Sequence, residues 1–268
     1  MAYQKIKLET HGPVAVITLD DPATMNAAGV DLVGELVDAF KRLAAGEIEG
    51  ARAVVLTGAG RGFCSGANLA GGGPAARPRA ADGQIDAGSA LETLYNPFML
   101  ALRDLPMPFV TAINGAAAGV GCSMALMGDL IVAGESAYFL QAFRRIGLVP
   151  DGGSTYLLPR MIGRARAMEM TLLGERLPAA KALEWGLINR CVPDEALMAE
   201  AMKLAGELAN GPASLKQIRK LMWESLDHHF ADQLSAERHA QAIAGRTGDF
   251  QEGVAAFLQK RPAAFKGA

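Results

Sequence analysis

Cysteine is scarce in this sequence, and its placement excludes two kinds of cross-linked structure. The three cysteines, Cys64, Cys122 and Cys191, are too few and too scattered for a disulfide framework or a paired-thiolate metal site. We therefore expect free, half-buried thiols, no bound metal and a reducing compartment, the cytoplasm.

Histidine is absent from residues 12–227, because all four histidines lie outside that range. A serine or cysteine nucleophile ordinarily needs a histidine base close to it. The gap therefore argues against most hydrolases built on such a pair.

Excess charge and long apolar runs are also lacking. The formal net charge is −2 over 268 residues, half of which are hydrophobic, so neither nucleic-acid binding nor disorder is favoured. No stretch reaches the roughly 18 apolar residues of a membrane span, and Met1–Leu8 has no signal-peptide apolar region. We expect one main domain with an appendage and no contact with a membrane.

Short β-branched runs alternate with helical periodicity in the first half of the chain. Val14–Leu19 and 53–57 are typical of buried strands, and apolar residues between them recur at helical spacing. Phe109–Ile113, a small-residue helix at 119–127 and a strand at 130–133 repeat the arrangement. This order predicts an α/β layered fold.

Two segments depart from this pattern. Residues 70–90 are rich in Gly, Ala, Pro and Asp and form either a flexible flap beside a site or a surface insertion. From Asp194 onward only helical periodicity remains, which divides the chain into a core, 1–193, and a helical region, 194–268. The apolar stripe of that region packs either on a neighbouring subunit or on its own body.

Two glycine-rich turns follow strands, at 58–69 and at 114–126. Residues with almost no side chain let backbone N–H groups approach a ligand closely, so two such turns can converge on one oxygen. Neither turn has the full dinucleotide-binding spacing or an acidic residue about 20 positions beyond it. Ser123 resembles a nucleophile on such a turn, but with no histidine in residues 12–227 its base would have to be a lysine or a folded-back His228 or His229. It is better explained as a small residue lining the cavity.

Four motifs together resemble one family along nearly the whole chain. They are GRGFCSGANL, NGAAAGVGCSMALMGDL, IGLVPDGGSTYLLP and EGVAAFLQKR. This combination is similar to the enoyl-CoA hydratase/isomerase family, the crotonase superfamily, over roughly residues 5–266. The resemblance implies a spiral of ββα units with a C-terminal helical trimerisation region.

The same resemblance implies an acyl-CoA thioester as substrate, with coenzyme A belonging to the substrate and no separate cofactor. The backbone N–H groups of Ala67 and Val120 would form the oxyanion hole. Asn68 stands where many members have aspartate and is given no catalytic role. Contacts with CoA or substrate are expected from Asn26, Ala28, Ser65, Asn68, Leu69, Ala70, Ser123 and Phe143, and from Phe257 and Lys260 of a neighbouring subunit. Lys260 is explained equally well as a solvent-exposed cation at the C-terminus of a helix.

One departure from the family bears directly on the reaction. Typical hydratases carry glutamates at the positions that Ser123 and Phe143 fill here. Water addition normally needs two carboxylates, whereas moving a double bond from C3 to C2 needs one group that removes a proton at C2 and returns one at C4. An isomerase is therefore expected, with a hydratase as the alternative.

Asp151, in Val149–Gly153, is the candidate acid. Taken alone, an aspartate after proline and before two glycines is an ordinary turn residue or a helix N-cap. The segment is similar to family members that isomerise 1,2-epoxyphenylacetyl-CoA in phenylacetate degradation and 3-enoyl-CoA, in which this aspartate is the acid/base. We expect an apolar pocket of Phe143, Phe139 and Met124 to raise its pKa.

Further alternatives stay open. A dehalogenase with aspartate as nucleophile fits poorly, because that chemistry uses a histidine base in the first half of the chain. A scaffold that binds acyl-CoA or protein without catalysis is the alternative of another class. By resemblance we expect a homotrimer or a dimer of trimers.

Overall fold

Ten strands and nine α-helices make up the part of the chain that the computed structural model describes, residues 3–68 and 78–268. The strands are β1 (Ile6–His11), β2 (Val14–Leu19), β3 (Ala53–Gly58), β4 (Gly62–Cys64), β5 (Phe109–Ile113), β6 (Ala116–Ala118), β7 (Leu130–Gly134), β8 (Tyr138–Leu140), β9 (Leu177–Pro178) and β10 (Arg190–Val192). The helices are α1 (Val30–Ala44), α2 (Asn96–Arg103), α3 (Val120–Ala125), α4 (Ser154–Leu173), α5 (Ala179–Trp185), α6 (Leu197–Ala209), α7 (Leu215–Glu224), α8 (Phe230–Ala244) and α9 (Gly248–Gln259).

The strands form two sheets. The larger sheet has the order β1-β2-β3-β5-β7-β10, in which β1 and β2 are antiparallel and the remaining neighbours are parallel. The smaller sheet has the order β4-β6-β8-β9 and is parallel from β4 to β8. The sequence predicted β2, β3, β5 and β7, all of which are confirmed.

A repeating unit connects the two sheets. Three times the chain passes from a strand of the larger sheet to one of the smaller sheet and then to a helix: β3-β4-α2, β5-β6-α3 and β7-β8-α4. The predicted α/β spiral of ββα units is therefore confirmed. Since β4 and β6 are parallel neighbours, the turns that follow them lie side by side.

Both faces of the larger sheet are covered, which explains why its strands read as unbroken apolar runs. On one face, Ile17 and Leu56 belong to the main core with the α1 residues Leu36 and Phe40. On the other face, side chains such as Val16 pack with α6, whose contributing residues are Leu197, Ala201, Ala205 and Ala209. The first helix of the 194–268 region thus packs on the chain's own body.

The last two helices leave large apolar side chains uncovered. The exposed residues of α8 and α9 are Phe230, Leu234, Ile243, Phe250, Val254, Phe257 and Leu258. No helix in the described ranges combines the length and apolar content that a bilayer crossing requires.

Arg219 of α7 ties the helical region to the core. Its buried guanidinium donates to Asp129 at 2.8 Å and to the carbonyl oxygens of Leu102, Arg103 and Leu105, between 2.5 and 2.8 Å. These carbonyls lie at the end of α2 and just beyond it, where the last carbonyl oxygens of a helix have no N–H donor within the helix. The arginine therefore supplies a donor to several acceptors at this helix end at once.

Replacing Arg219 by methionine is expected to lower the free energy of unfolding by about 3–5 kcal/mol, because several buried acceptors lose a donor and a partly buried carboxylate loses its cation. Urea denaturation followed by circular dichroism measures the change. Arg190→Met is the matched control: that arginine is exposed and lies 3.9 Å from Glu200, so its loss should change stability by about 0.5 kcal/mol or less. Equal effects of the two substitutions would contradict this account of Arg219.

Candidate active site

Two glycine-rich turns meet at the ends of β4 and β6. We call residues 65–68 the Gly66 turn and residues 118–120 the Gly119 turn. A Cβ atom added to Gly66 would lie 2.8 Å from the Ala118 carbonyl oxygen, and one added to Gly119 would lie 3.8 Å from the Gly66 Cα. The φ angles are +99° and +54°, which L side chains rarely adopt. Only glycine allows the two backbones to approach this closely.

The residues predicted to supply the oxyanion hole lie on these adjoining turns. Ala67 follows Gly66 and pairs with Ala28 in an isolated parallel bridge. Val120 is the first residue of α3 and is buried. The N–H groups of the first turn of a helix have no intrahelical acceptor, so the Val120 N–H is open to an outside oxygen.

The Asn26 side chain holds β4 and the turn before it, which lead into the Gly66 turn. Its φ of +56° is unusual for a residue with a side chain. The side chain is fully buried: the amide nitrogen donates to the carbonyls of Ala59, Gly62 and Phe63, and the amide oxygen accepts from the Asp21 N–H. The predicted contact between Asn26 and CoA is therefore indirect at most, since the side chain is bound within the protein.

Other residues predicted to bind CoA lie beside this turn. The Ala28 N–H donates to the Gly66 carbonyl at 2.7 Å, and the Ser65 hydroxyl donates to the Thr24 carbonyl at 3.0 Å. Asn68 is exposed. Leu69 and Ala70 lie outside the described residues, as does the start of the 70–90 segment. Its later part contains a bridge between Arg79 and Ile85.

Asp151 lies between β8 and α4, in the turn that leads into α4. Its side chain is half-buried, and its Oδ1 atom is buried with no hydrogen-bond partner in the ranges that the structure describes. Burial raises the pKa of this carboxyl from 3.8 to about 6. The helix N-cap is Gly153, and no side chain caps this helix. The carboxyl therefore does not serve the turn or the helix, which were the alternatives for this residue.

The main chain of Asp151, in contrast, is tightly held. Its carbonyl oxygen accepts from the Ser123 hydroxyl at 2.8 Å, the Ser154 hydroxyl at 2.9 Å and the Ser154 N–H at 3.1 Å. A Cβ added to Gly152 would lie 2.7 Å from Ser123 Cβ and 3.1 Å from the Met99 methyl. The turn thus packs against α3 and α2.

Ser123 differs from its predicted place in the substrate cavity. The side chain has no exposed surface, and its hydroxyl is engaged with the Asp151 carbonyl. Among the described residues the hydroxyl donates to main-chain carbonyls and to no side-chain base, which argues against the nucleophile hypothesis.

Tyr95 was missed at the sequence level. It ends a π-helical turn, Leu91–Tyr95, and its buried hydroxyl donates to the Ala28 carbonyl at 2.6 Å. Burial, and then the negative charge of Asp151, raise the pKa of Tyr95 to about 12. The Tyr95 hydroxyl is thus bound to Ala28, the residue that pairs with Ala67, and it lies near enough to Asp151 to be affected by its charge. No motif or spacing in the sequence marks this residue.

The three residues expected to form an apolar pocket are all buried: Phe143, Phe139 and Met124. Phe143 lies next to the Gly119 turn, because its Cζ atom is 3.9 Å from the position of a Cβ on Gly119. An apolar ring therefore stands beside the turn that carries Val120.

Two thiols flank the contact between the turns. Cys64 immediately precedes the Gly66 turn, and Cys122 follows the Gly119 turn; both are fully buried rather than half-buried as expected. Burial raises their pKa values to about 11 and 12. Cys191 is partly exposed. A Cβ on Gly121 would lie within 3 Å of Cys64 atoms, so α3 packs directly on β4.

Phe257 and Lys260 lie at the end of α9 and are exposed. Phe257 helps to line a cleft of about 540 Å³ whose walls all come from residues 212–265. None of the residues of the two turns or of the Asp151 turn lines this cleft. Within one protomer, the cleft is thus built from the helical region alone.

Comparison with known proteins yields extensive matches. A family model described as enoyl-CoA hydratase/isomerase matches residues 9–268. A probable enoyl-CoA hydratase of Rhodobacter capsulatus is 43% identical over 268 residues, with all of both chains covered. The 1,2-epoxyphenylacetyl-CoA isomerase of Escherichia coli is 41% identical over 258 residues, with 95% of each chain covered. The crystal structure of an enoyl-CoA hydratase from Bacillus anthracis is 28% identical, with a TM-score of 0.88 and coverage of 99% and 100%.

Proposed function

Since the chain belongs to the enoyl-CoA hydratase/isomerase family, we propose that it is an isomerase that moves the double bond of an enoyl-CoA from C3 to C2. The observation that carries this proposal is the carboxyl of Asp151, which lies on a turn held against α3 and has a buried oxygen with no hydrogen-bond partner among the described residues. Membership of this family makes the chain an enzyme that acts on acyl-CoA thioesters.

The proposed reaction is a proton transfer with one acid/base group. Asp151, ionised above about pH 6, removes a proton from C2 of the 3-enoyl thioester. The electron pair is delocalised over a dienolate whose oxygen accepts hydrogen bonds from the N–H groups of Ala67 and Val120. The protonated Asp151 then returns a proton to C4, which leaves the double bond at C2. No cofactor takes part beyond the CoA of the substrate.

The residues around Asp151 favour isomerisation over hydration. Water addition needs one group that activates water and another that delivers a proton to carbon. Ser123 is bound to a main-chain carbonyl, and Phe143 is an apolar ring beside the Gly119 turn. These are the positions that typical hydratases of the family fill with glutamate. The second candidate, an enoyl-CoA hydratase, is supported by the name of the 43% identical relative.

We further propose how CoA is bound and how the chain assembles. The adenine and pantetheine parts lie along Ala28, Ser65 and Asn68 and continue past Leu69 and Ala70. The exposed apolar residues of α8 and α9 support a homotrimer or a dimer of trimers. In that assembly, Phe257 and Lys260 of a neighbouring subunit reach the nucleotide end.

Incubation with 3-enoyl-CoA and 2-enoyl-CoA substrates in D₂O tests the proposal. We expect 3-enoyl-CoA to become 2-enoyl-CoA, with deuterium at C4 in the fraction of turnovers in which the Asp151 proton exchanges before return. Mass spectrometry and proton NMR give the double-bond position and the deuterium content. Rapid formation of 3-hydroxyacyl-CoA from 2-enoyl-CoA, without isomerisation of the 3-enoyl substrate, would establish the hydratase instead.

A further inference from the structure

The hydrogen bonds at Asp151 are divided unequally between its main chain and its carboxyl. The main-chain carbonyl accepts three hydrogen bonds, whereas the buried carboxyl Oδ1 accepts none from residues 3–68 or 78–268. Carboxylates that must stay in place are usually held by donors to the carboxylate itself, which lowers the pKa. Here the position of the side chain is fixed through the backbone, and no donor in the described part of the chain competes with a substrate for Oδ1.

The three donors are not equivalent. The hydroxyl and the N–H of Ser154 are three residues away on the same turn, so they move with Asp151. The Ser123 hydroxyl comes from a different element, α3, at 2.8 Å. It is the donor of the three that fixes the Asp151 turn to another part of the protein.

Ser123 also connects the acid with the predicted oxyanion hole. α3 is six residues long, and Val120 is its first residue, one turn before Ser123. The first turn of α3 thus carries the Val120 N–H at its start and, three residues later, the Ser123 hydroxyl that binds the Asp151 carbonyl. The separation of acid and oxyanion donor is therefore set by α3.

We propose that Ser123 is a positioning residue, whose hydroxyl holds the backbone of the catalytic acid at a fixed distance from the oxyanion donor on the same helix. The inference rests on the proposed function, because it needs Asp151 to act on a bound thioester. Close packing supports it: Gly152, with φ +58°, leaves no space for a Cβ against Ser123. The Asp151 turn therefore packs against α3 in one position, and the hydrogen bond from the Ser123 hydroxyl holds it in that position.

Ser123→Ala is expected to lower kcat about 10- to 100-fold with little change in KM, because a small displacement of a reacting group can cost that much. Without the hydroxyl, the turn keeps only its local Ser154 donors and can move toward solvent. Hydration of the carboxyl should then shift the Asp151 pKa from about 6 toward its ordinary 3.8. Ser123→Cys, which keeps a weaker donor, should give intermediate values.

Thr111→Val is the matched control. The Thr111 hydroxyl is equally buried and donates to the Ala125 carbonyl at 2.8 Å, at the other end of α3. Loss of the Thr111 hydroxyl should lower the free energy of unfolding about as much as Ser123→Ala does. It should leave kcat within about twofold of the wild-type value and the Asp151 pKa within about 0.3 of its wild-type value.

Carbon-13 NMR titration of labelled aspartate, assigned with Asp151→Asn, measures the pKa without substrate, and steady-state kinetics measures turnover. An unchanged Asp151 pKa and an unchanged kcat in Ser123→Ala would overturn the proposal. If the wild type does not isomerise 3-enoyl-CoA but the pKa still falls in Ser123→Ala, the proposed function fails while the positioning of the carboxyl by Ser123 stands.

Discussion

Asp151→Asn is expected to lower kcat/KM for isomerisation by about 10²- to 10⁴-fold, the usual contribution of a general acid/base. Asparagine has the same size and cannot accept the C2 proton, so binding should change little. Stopped-flow or coupled assays with 3-enoyl-CoA measure the effect. Full turnover in this variant on every enoyl-CoA tested would favour the scaffold alternative, in which no residue is catalytic.

The pH dependence provides an independent check on the same residue. Wild-type kcat/KM should fall below about pH 6, because the Asp151 carboxyl is then protonated. The residual activity of Asp151→Asn should lack this acid limb. Since the folded pKa lies above the ordinary 3.8, ionisation of Asp151 destabilises the wild type as pH rises through 4 to 6. The variant should therefore have a higher Tm than the wild type above pH 6 and an equal Tm below pH 4.

Gly66→Ala is expected to lower kcat about 100-fold, the effect of losing one oxyanion donor. The new methyl group would lie 2.8 Å from a backbone oxygen, that of Ala118, at a φ of +99°. Relief of this overlap must separate the Gly66 turn from the Gly119 turn. In the proposed oxyanion hole, the Ala67 and Val120 N–H groups would then no longer converge on one oxygen. Kinetics on the purified variant, with binding of a CoA product followed by calorimetry, separates lost turnover from lost binding.

Gly186→Ala is the control for backbone strain. Gly186 has a φ of +80°, but a Cβ there would meet no atom within 4 Å. This variant should lose about 1 kcal/mol of stability and keep its activity. Wild-type turnover in Gly66→Ala would show that contact between the turns is not required for the reaction.

The strands that could be predicted from the sequence are those buried on both faces. Val14–Leu19 and Phe109–Ile113 lie between helices, so nearly every residue in them is apolar. The strands of the smaller sheet have two or three residues each, too short for any periodicity. β1 was missed for another reason: its burial is limited largely to Ile6 at one end of an edge strand.

Within the site, residue types could be predicted but several spatial relations could not. Asp151 was identifiable because its neighbours form part of a family motif. The unpartnered Oδ1 and the raised pKa depend on packing by distant elements, including α2 and Tyr95. Ser123 illustrates the limit, since its position in the sequence indicated a cavity wall, whereas its bond to Asp151 spans 28 residues.

The helical region follows one of the two arrangements that the sequence left open in α6, which packs on the chain's own body, whereas packing of α8 and α9 on a neighbouring subunit stays a prediction. α6 completes the covering of the larger sheet, because its small residues, such as Ala201 and Ala205, fit closely on the strands. α8 and α9 retain exposed aromatic residues. The uniform helical periodicity after Asp194 could not distinguish a helix that faces its own sheet from one that presents its apolar residues outward.

The two buried thiols allow opening of the site to be followed chemically. An alkylating reagent attacks the thiolate, and with pKa values of about 11 and 12 for Cys64 and Cys122 only about one such group in ten thousand or fewer is ionised at pH 7. Iodoacetamide should therefore modify Cys191 first. Slow labelling of Cys64 or Cys122 would then measure how often the Gly66 turn and the Gly119 turn separate. A bound thioester that bridges the two turns would lower the rate of this labelling.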